Sequence, residues 1–193
     1  MDKDLDERLT VILAKYKSNF EAKEQNEEEG KSDLLMEIFG ITPEQKVENR
    51  QYWGRELGMC WQLMVKELFQ IKREDFIDAK KFGADEPADL FIGKDAIDVK
   101  YRMGSGDSGT IKKWKQYAHL LTTEGYQPII LLLRSDNLPS AINACKVAGW
   151  TVLQEEESFE YIQTETNFDL KAWMITQIKS KQFNLFQNDD ARN

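Results

Sequence analysis

Hydrophobic residues recur at every third or fourth position near the start of the chain, and this spacing predicts an amphipathic helix over roughly residues 3–24. The residues of its apolar stripe are Leu5, Leu9, Ile12, Tyr16 and Phe20. A polar, acidic stretch follows. A second, shorter helix is then predicted from Ser32 to Phe39, where Gly40 would end it.

A further helix start follows at Thr42-Pro43-Glu44-Gln45. Thr42 can cap the helix, Pro43 suits the first helical position, and Gln45 completes a capping box. The helical pattern then continues to about residue 70, with a break allowed near Asn49. Its apolar stripe consists of Trp53, Leu57, Cys60, Trp61, Met64 and Leu68.

Beyond residue 75 the pattern changes to short runs that are typical of strands. The predicted strands are 76–82, 88–92, 96–101, 128–133 and 150–154. Gly93-Lys94-Asp95 forms a hairpin-type turn, so the second and third of these strands should be antiparallel. Helices are predicted over 110–123, 139–148 and 168–179.

The order of these elements predicts an α/β fold with a mixed central sheet and helices on both faces. Strands 96–101 and 128–133 flank a helix, so a right-handed crossover should make them parallel. The chain is accordingly expected to divide into an N-terminal helical segment (1–41), a core (42–187) and a frayed tail (188–193).

Composition adds that the chain can build a substantial core and gives no sign of a membrane partner. Its 193 residues are 41% hydrophobic, and no run approaches the roughly 20 apolar residues of a membrane span. Cys60 and Cys145 lie within apolar helical patterns, as reduced core residues of a cytosolic protein do. No apolar leader follows Met1-Asp2-Lys3-Asp4, so a cytoplasmic location is expected.

The net charge of −8, taken alone, argues against a nucleic-acid partner. The charge is segregated, however. Residues 100–115 hold five basic residues and one acid, whereas residues 154–169 hold six acids and no Lys or Arg. This distribution allows a basic patch with acidic faces turned away from DNA, but it equally allows two ordinary solvated surfaces.

The candidate chemistry lies on the predicted hairpin. Alternate strand residues point to opposite faces, so Asp98 and Lys100 share one face while Ile97 and Val99 share the other. Counted from the turn, Asp89 lies nearly opposite Lys100. The carboxylates of Asp89 and Asp98 can therefore converge at one edge of the hairpin.

Two convergent carboxylates, Asp89 and Asp98, with the nearby main-chain carbonyl of Val99, suit the oxygen-preferring cation Mg²⁺. Such a cation would bind a phosphate oxygen and lower the pKa of a bound water. Lys100 could orient that water or neutralise the pentacovalent phosphate. The competing interpretation is a salt-bridged strand edge without a catalytic role.

Pro87-Ala88-Asp89 followed by Asp98-Val99-Lys100 resembles the motif of the PD-(D/E)XK nuclease superfamily, with one residue inserted between the proline and the first aspartate. The gap of eight residues between the two acids is near the short end for that motif. The run from Asp98 to Thr110 looks most similar to ApaLI-like type II restriction endonucleases.

The resemblance implies a restriction-endonuclease-like core and Mg²⁺-dependent hydrolysis of double-stranded DNA. A type II enzyme of this kind acts as a homodimer on a specific, palindromic sequence and leaves 5′-phosphate ends.

In that superfamily a glutamate on a helix ahead of the strands often joins the metal site, and the resemblance makes Glu56 the candidate. Trp53, Met59 and Cys60 occupy neighbouring helical positions, where an unpaired carboxylate is costly to bury. Glu67 lies on a similar stripe and is the competitor. Alternatively, Glu56 pairs with an arginine or reaches water.

The DNA contacts are expected directly after the catalytic strand. The glycine-rich segment 104–109 lets backbone amides approach an anion, and Thr110 begins a helix whose N-terminus favours phosphate. No Gly-Lys-Ser or Gly-Lys-Thr follows, so no nucleotide cofactor is expected. The predicted DNA-binding residues, with lysines on phosphates and polar side chains near base edges, are Arg102, Ser105, Asp107, Ser108, Thr110, Lys112, Lys113, Lys115 and Gln116. The alternative is a flexible turn followed by a solvated helix face.

His119 is the only histidine and is expected on a helix surface, which disfavours a Ser/His triad or a histidine zinc site.

Two other functions stay open. One is a repair or recombination nuclease of the same fold, which would recognise a DNA structure instead of a sequence. The other is a non-catalytic acidic nuclease inhibitor that mimics DNA. The acid and lysine set of the hairpin and the basic patch at 100–115 argue against the inhibitor.

Overall fold

The computed structural model describes residues 31–104 and 108–186 of the chain. The helix predicted over 3–24, residues 105–107 of the glycine-rich segment and the tail predicted over 188–193 lie outside the described residues. The described residues from Asp33 onward belong to one compact unit. The core thus includes the short helix that the sequence analysis assigned to the N-terminal segment, because the apolar side chains of that helix are buried in it.

Among the described residues, three helices precede the sheet, and their ends follow the predicted capping signals. Helix α1 (Leu34–Phe39) is capped by Asp33 and ends at Gly40, whose φ of 69° suits glycine. Helix α2 (Pro43–Glu48) begins with the predicted capping box between Thr42 and Gln45. Asn49 interrupts the pattern, and the long helix α3 (Arg50–Lys72) follows.

The sheet has five strands in the order β1-β2-β3-β4-β5, namely Ile77–Asp78, Leu90–Ile92, Asp95–Lys100, Gln127–Leu132 and Thr151–Gln154. Strand β2 is antiparallel to both β1 and β3, whereas β3, β4 and β5 are parallel to one another. The predicted mixed sheet and its parallel crossover are confirmed. The strand predicted over 76–82 is mostly wrong, since only two exposed residues of it pair with β2.

Helices cover both faces of the sheet. Helices α4 (Ser108–Thr123) and α5 (Pro139–Ala148) pack on the face that carries Phe91, Ala96 and Ile130. The other face packs against α1, α3, α6 (Glu156–Thr166) and α7 (Leu170–Ser180). Helix α6 was not predicted, because its many acidic residues make the apolar periodicity of its buried side difficult to recognise in the sequence. In the part of the chain that the structure describes, no helix is long and apolar enough to cross a bilayer.

The register of the hairpin differs from the predicted one by one position. Ile92 pairs with Asp95 and Leu90 pairs with Ile97, so the turn consists of Gly93 and Lys94 alone. Gly93 has a φ of 52°, as a two-residue hairpin turn requires. Asp89 directly precedes β2, and its main-chain N–H donates to the carbonyl of Ile97 at 2.8 Å, so Asp89 lies beside Ile97 and Asp98 and is not nearly opposite Lys100 as counting from a three-residue turn suggested. The two acids therefore lie close together across the hairpin.

Candidate active site

A cleft of about 330 Å³ opens between the β2–β3 hairpin and helix α4. The hairpin and the segment that leads into it supply three acids and one lysine, and α4 supplies the opposite wall. The residues that line the cleft are Glu86, Asp89, Asp98, Lys100, Thr110, Lys113, Trp114 and Tyr117. All three side chains of the predicted catalytic set on the hairpin thus lie in one cleft.

Asp98 is the most buried of the acids, with 7% of its surface exposed. Its Oδ1 accepts a hydrogen bond from Lys100 Nζ at 2.8 Å. Its Oδ2 is buried and has no hydrogen-bond partner among the described residues. Burial raises the pKa of Asp98 to about 6, opposed by the charge of Lys100 and reinforced by that of Asp89. A buried acceptor without a partner is costly, so this oxygen favours a ligand in the cleft.

Asp89 is held by donors on both oxygens. The main-chain N–H of Val99 donates to Oδ2 at 2.7 Å, and the amide Nε2 of Gln62 donates to Oδ1. Lys100 Nζ lies 3.7 Å from the same Oδ2. The orientation of the Asp89 carboxylate is therefore fixed from β3 and from helix α3.

Lys100 lies between the two acids. Burial disfavours its ammonium, but the charges of Asp98 and Asp89 outweigh this and raise the pKa of Lys100 above its ordinary value. The side chain is 38% exposed, so the ammonium stays charged and remains accessible from the cleft.

The helical glutamates do not line this cleft. Glu56 pairs with its neighbour Arg55 at 2.9 Å, and its side chain is 46% exposed. Glu67 is exposed on the same helix. The α3 residue that contacts Asp89 is Gln62, which the sequence analysis missed because it searched for a carboxylate. A catalytic role of Glu56 stays a prediction.

The predicted DNA-binding residues are spread around the cleft. Thr110 and Lys113 line it. Lys112 and Lys115 are exposed on α4, as is His119, which confirms its predicted place on the helix surface.

Two further predicted DNA-binding residues, Gln116 and Arg102, have partners within the protein and are also exposed, and their role in DNA binding stays a prediction. Gln116 Nε2 donates to Asp85 at 3.3 Å, and Arg102 Nε lies 3.2 Å from Asp136 Oδ2. Ser105 and Asp107 lie outside the described residues, and of Ser108 only its place at the start of α4 is described.

The aromatic wall of the cleft is fixed by its own contacts. The hydroxyl of Tyr117 donates to Asp85 Oδ1 at 3.1 Å, and the main-chain carbonyl of Trp114 accepts from the indole of Trp150 at 3.0 Å. Trp114 and Trp150 also stack edge to face, with ring centroids 5.2 Å apart. Glu86, Trp114 and Tyr117 line the cleft but were not predicted as site residues.

Over residues 31–104 and 108–186, no three side chains of His, Cys, Asp and Glu come together as a metal site. A cation in the cleft would therefore rely on Asp89 and Asp98, with main-chain and water oxygens completing its shell. Mg²⁺ fits this set, because it is commonly held by one or two carboxylates and keeps several waters. The partnerless Oδ2 of Asp98 is consistent with such a ligand.

Comparison of the chain with protein-family models, with curated proteins and with solved structures found no match.

Proposed function

We propose that this protein is a Mg²⁺-dependent endonuclease that hydrolyses phosphodiester bonds in double-stranded DNA. The observation that carries the proposal is the convergence of Asp89 and Asp98 on Lys100 in an open cleft. A salt-bridged strand edge would be satisfied by its own contacts, whereas here one buried carboxylate oxygen has no hydrogen-bond partner among the described residues.

Asp89, Asp98 and a main-chain oxygen such as that of Val99 would hold the cation. When bound, Mg²⁺ supplies Lewis-acid polarisation of the scissile phosphate and a more acidic water. The chain's own contribution is a fixed pair of acids. Val99 and Gln62 orient Asp89, and Lys100 orients Asp98.

Lys100 provides the positive charge of the reaction centre. Its ammonium has three donors, one of which is used by Asp98 at 2.8 Å. The others can orient the attacking water or donate to the phosphate oxygens as negative charge develops on them. Two neighbouring acids keep it protonated, so it acts as an electrostatic stabiliser and not as a proton acceptor.

The α4 wall would bind the DNA backbone. Thr110 and Lys113 lie near the N-terminal end of the helix and face the acids across the cleft. A helix N-terminus and a lysine both favour phosphate. Helix α4 carries Lys112, Lys113 and Lys115 and no acid, which would let this wall approach DNA despite the net charge of −8.

Within this chemistry we assign the protein to the type II restriction endonucleases of the PD-(D/E)XK superfamily, acting as a homodimer on a palindromic site. The motif at residues 87–100 and the mixed sheet with its crossover helix support this assignment. The homodimer follows from the need to cut both strands of a symmetric site.

The test is incubation of the purified protein with phage and plasmid DNA, with and without Mg²⁺. Discrete fragments that can be ligated without added kinase are expected, because restriction leaves 5′-phosphates. A smear, or cleavage of branched or mismatched DNA alone, would assign the protein to repair instead. Intact DNA under every metal condition, together with tight binding to a nuclease, would replace the proposal by the inhibitor.

A further inference from the structure

Gln62 contacts the candidate site from the opposite side of the sheet edge. It lies on α3, whose neighbouring residues Trp61 and Val65 are fully buried in the core. Its amide Nε2 donates to Asp89 Oδ1. Because its backbone belongs to a packed helix, this donor has a fixed position relative to the hairpin.

We infer that Gln62 is a positioning residue that fixes the Asp89 carboxylate and thereby sets the affinity of the site for its divalent cation. The inference rests on the proposed function insofar as that function needs a cation between Asp89 and Asp98. It concerns a residue that does not itself touch the reacting atoms.

The need for a positioning residue follows from the place of Asp89 in the chain. Asp89 precedes β2, which begins at Leu90, so it lies at the end of the strand pairing. Its Oδ2 has a donor in the Val99 N–H, while Oδ1 depends on Gln62. Without Gln62 the carboxylate could turn about its side-chain bonds.

A rotation of the Asp89 carboxylate would change its distance to Lys100. Its ammonium lies 3.7 Å from Asp89 Oδ2, which is beyond hydrogen-bond distance. A released Asp89 would close further on this ammonium and turn the present ion pair into a direct hydrogen bond, because opposite charges attract strongly in a partly buried site. That pair would compete with a cation for the same carboxylate. Gln62 therefore keeps Asp89 available.

The neutral amide also sets the charge of the site. Asp89, Asp98 and Lys100 together carry one net negative charge when both acids are ionised. A glutamate at position 62 would remove the donor and add a second negative charge beside Asp89. Glutamine provides the hydrogen bond without this repulsion.

The first test measures Mn²⁺ binding to the full chain by calorimetry, without DNA. Gln62→Ala is expected to weaken Mn²⁺ binding roughly tenfold or more, as loss of a partner that orients a metal ligand commonly does. The control is Gln70→Ala, an exposed glutamine of the same helix, which should leave the affinity unchanged. Equal affinities in Gln62→Ala and the wild type would overturn the inference.

A second variant separates positioning from a structural role and serves if Gln62→Ala does not fold. Gln62→Glu should melt at a lower temperature than the wild type without divalent cations, because three carboxylates then adjoin. Added Ca²⁺ should raise its melting temperature more than that of the wild type. If Ca²⁺ does not raise the lowered melting temperature of Gln62→Glu, the role of Gln62 is only structural. That result would contradict the inference.

The two proposals fail in different ways. If the wild type binds Mn²⁺ and Gln62→Ala weakens it, but no DNA is cut, the positioning role stands and the nuclease proposal falls. If the wild type cuts DNA and Gln62→Ala keeps its Mn²⁺ affinity, the nuclease stands and the positioning role falls. A wild type that binds no Mn²⁺ overturns the positioning role.

Discussion

Asp89 lies across the β2–β3 hairpin from Asp98, and both carboxylates contact the ammonium of Lys100, at 3.7 Å and 2.8 Å. The three charges therefore form one unit, in which a change at any member alters the electrostatics of the others. Stability, pH dependence and catalysis should all respond to this unit.

Replacement of Asp98 by asparagine should stabilise the cation-free protein at pH 8. Folding raises the pKa of Asp98 from an ordinary 3.8 to about 6, mainly through burial. A group with a raised folded pKa stabilises the fold below its unfolded pKa, and this contribution is lost as the pH rises through the folded value. Asp98→Asn removes that loss, so it should raise the free energy of unfolding at pH 8 by about 3 kcal/mol.

Urea denaturation of both proteins in chelator, from pH 4 to pH 8, measures this effect. The difference between them should shrink toward zero near pH 4, where the wild-type carboxyl is protonated. A pH-independent difference would mean that Asp98 is not buried as an uncompensated acid.

Replacement of Lys100 by methionine should abolish cleavage and destabilise the cation-free fold above pH 6. Without the ammonium, Asp98 and Asp89 repel each other in a partly buried cleft, so the pKa of Asp98 should rise further. Lys100→Met combined with Asp98→Asn should recover stability relative to Lys100→Met alone. Independent, additive effects of the two substitutions on the free energy of unfolding would argue against a coupled unit.

Replacement of Lys113 by alanine should weaken DNA binding without loss of stability. Lys113 is exposed and lines the cleft on the α4 side. If it contacts one phosphate, the slope of log affinity against log salt should fall in magnitude by about 1. Lys146→Ala, an exposed lysine on α5 outside the cleft, is the matched control. Equal salt slopes for Lys113→Ala and the control would remove Lys113 from the DNA interface.

Replacement of Arg134 by methionine should lower the free energy of unfolding by about 3 kcal/mol, because breaking a buried ion pair leaves its partner acids uncompensated. Arg134 is 7% exposed, and it pairs with Asp33 and donates to both carboxylate oxygens of Asp136 at 2.6 and 3.0 Å. Arg55→Met, which breaks an exposed pair, should change stability by less than about 1 kcal/mol. Similar urea midpoints for the two variants would contradict this account.

The sequence specifies the candidate catalytic face of the hairpin well and its register less well. Alternation along β3 places Asp98 and Lys100 together whatever the length of the turn. The turn itself could contain two or three residues, and that choice shifts every cross-strand pair of the hairpin by one residue. Only the pairing of Leu90 with Ile97 settles it.

The contact of Gln62 with Asp89 could not be predicted from the local sequence pattern. The periodicity of α3 predicts which side is buried, but not which residue meets a hairpin 27 positions away. That contact depends on the rotation and position of the packed helix.

Helix α6 was missed for a different reason. Its fully apolar buried residues are only Phe159 and Ile162, and most of its other positions are acidic or polar, so its apolar stripe is short.

The most direct test of the account compares the wild type with Asp98→Ala on one DNA substrate. In Ca²⁺, a gel shift should show nearly equal DNA affinity for both, because the phosphate contacts proposed for the α4 wall are unchanged. In Mg²⁺, the wild type should cut the DNA and Asp98→Ala should leave it intact. Full cleavage by Asp98→Ala would contradict the assignment of a catalytic cation site to Asp89 and Asp98.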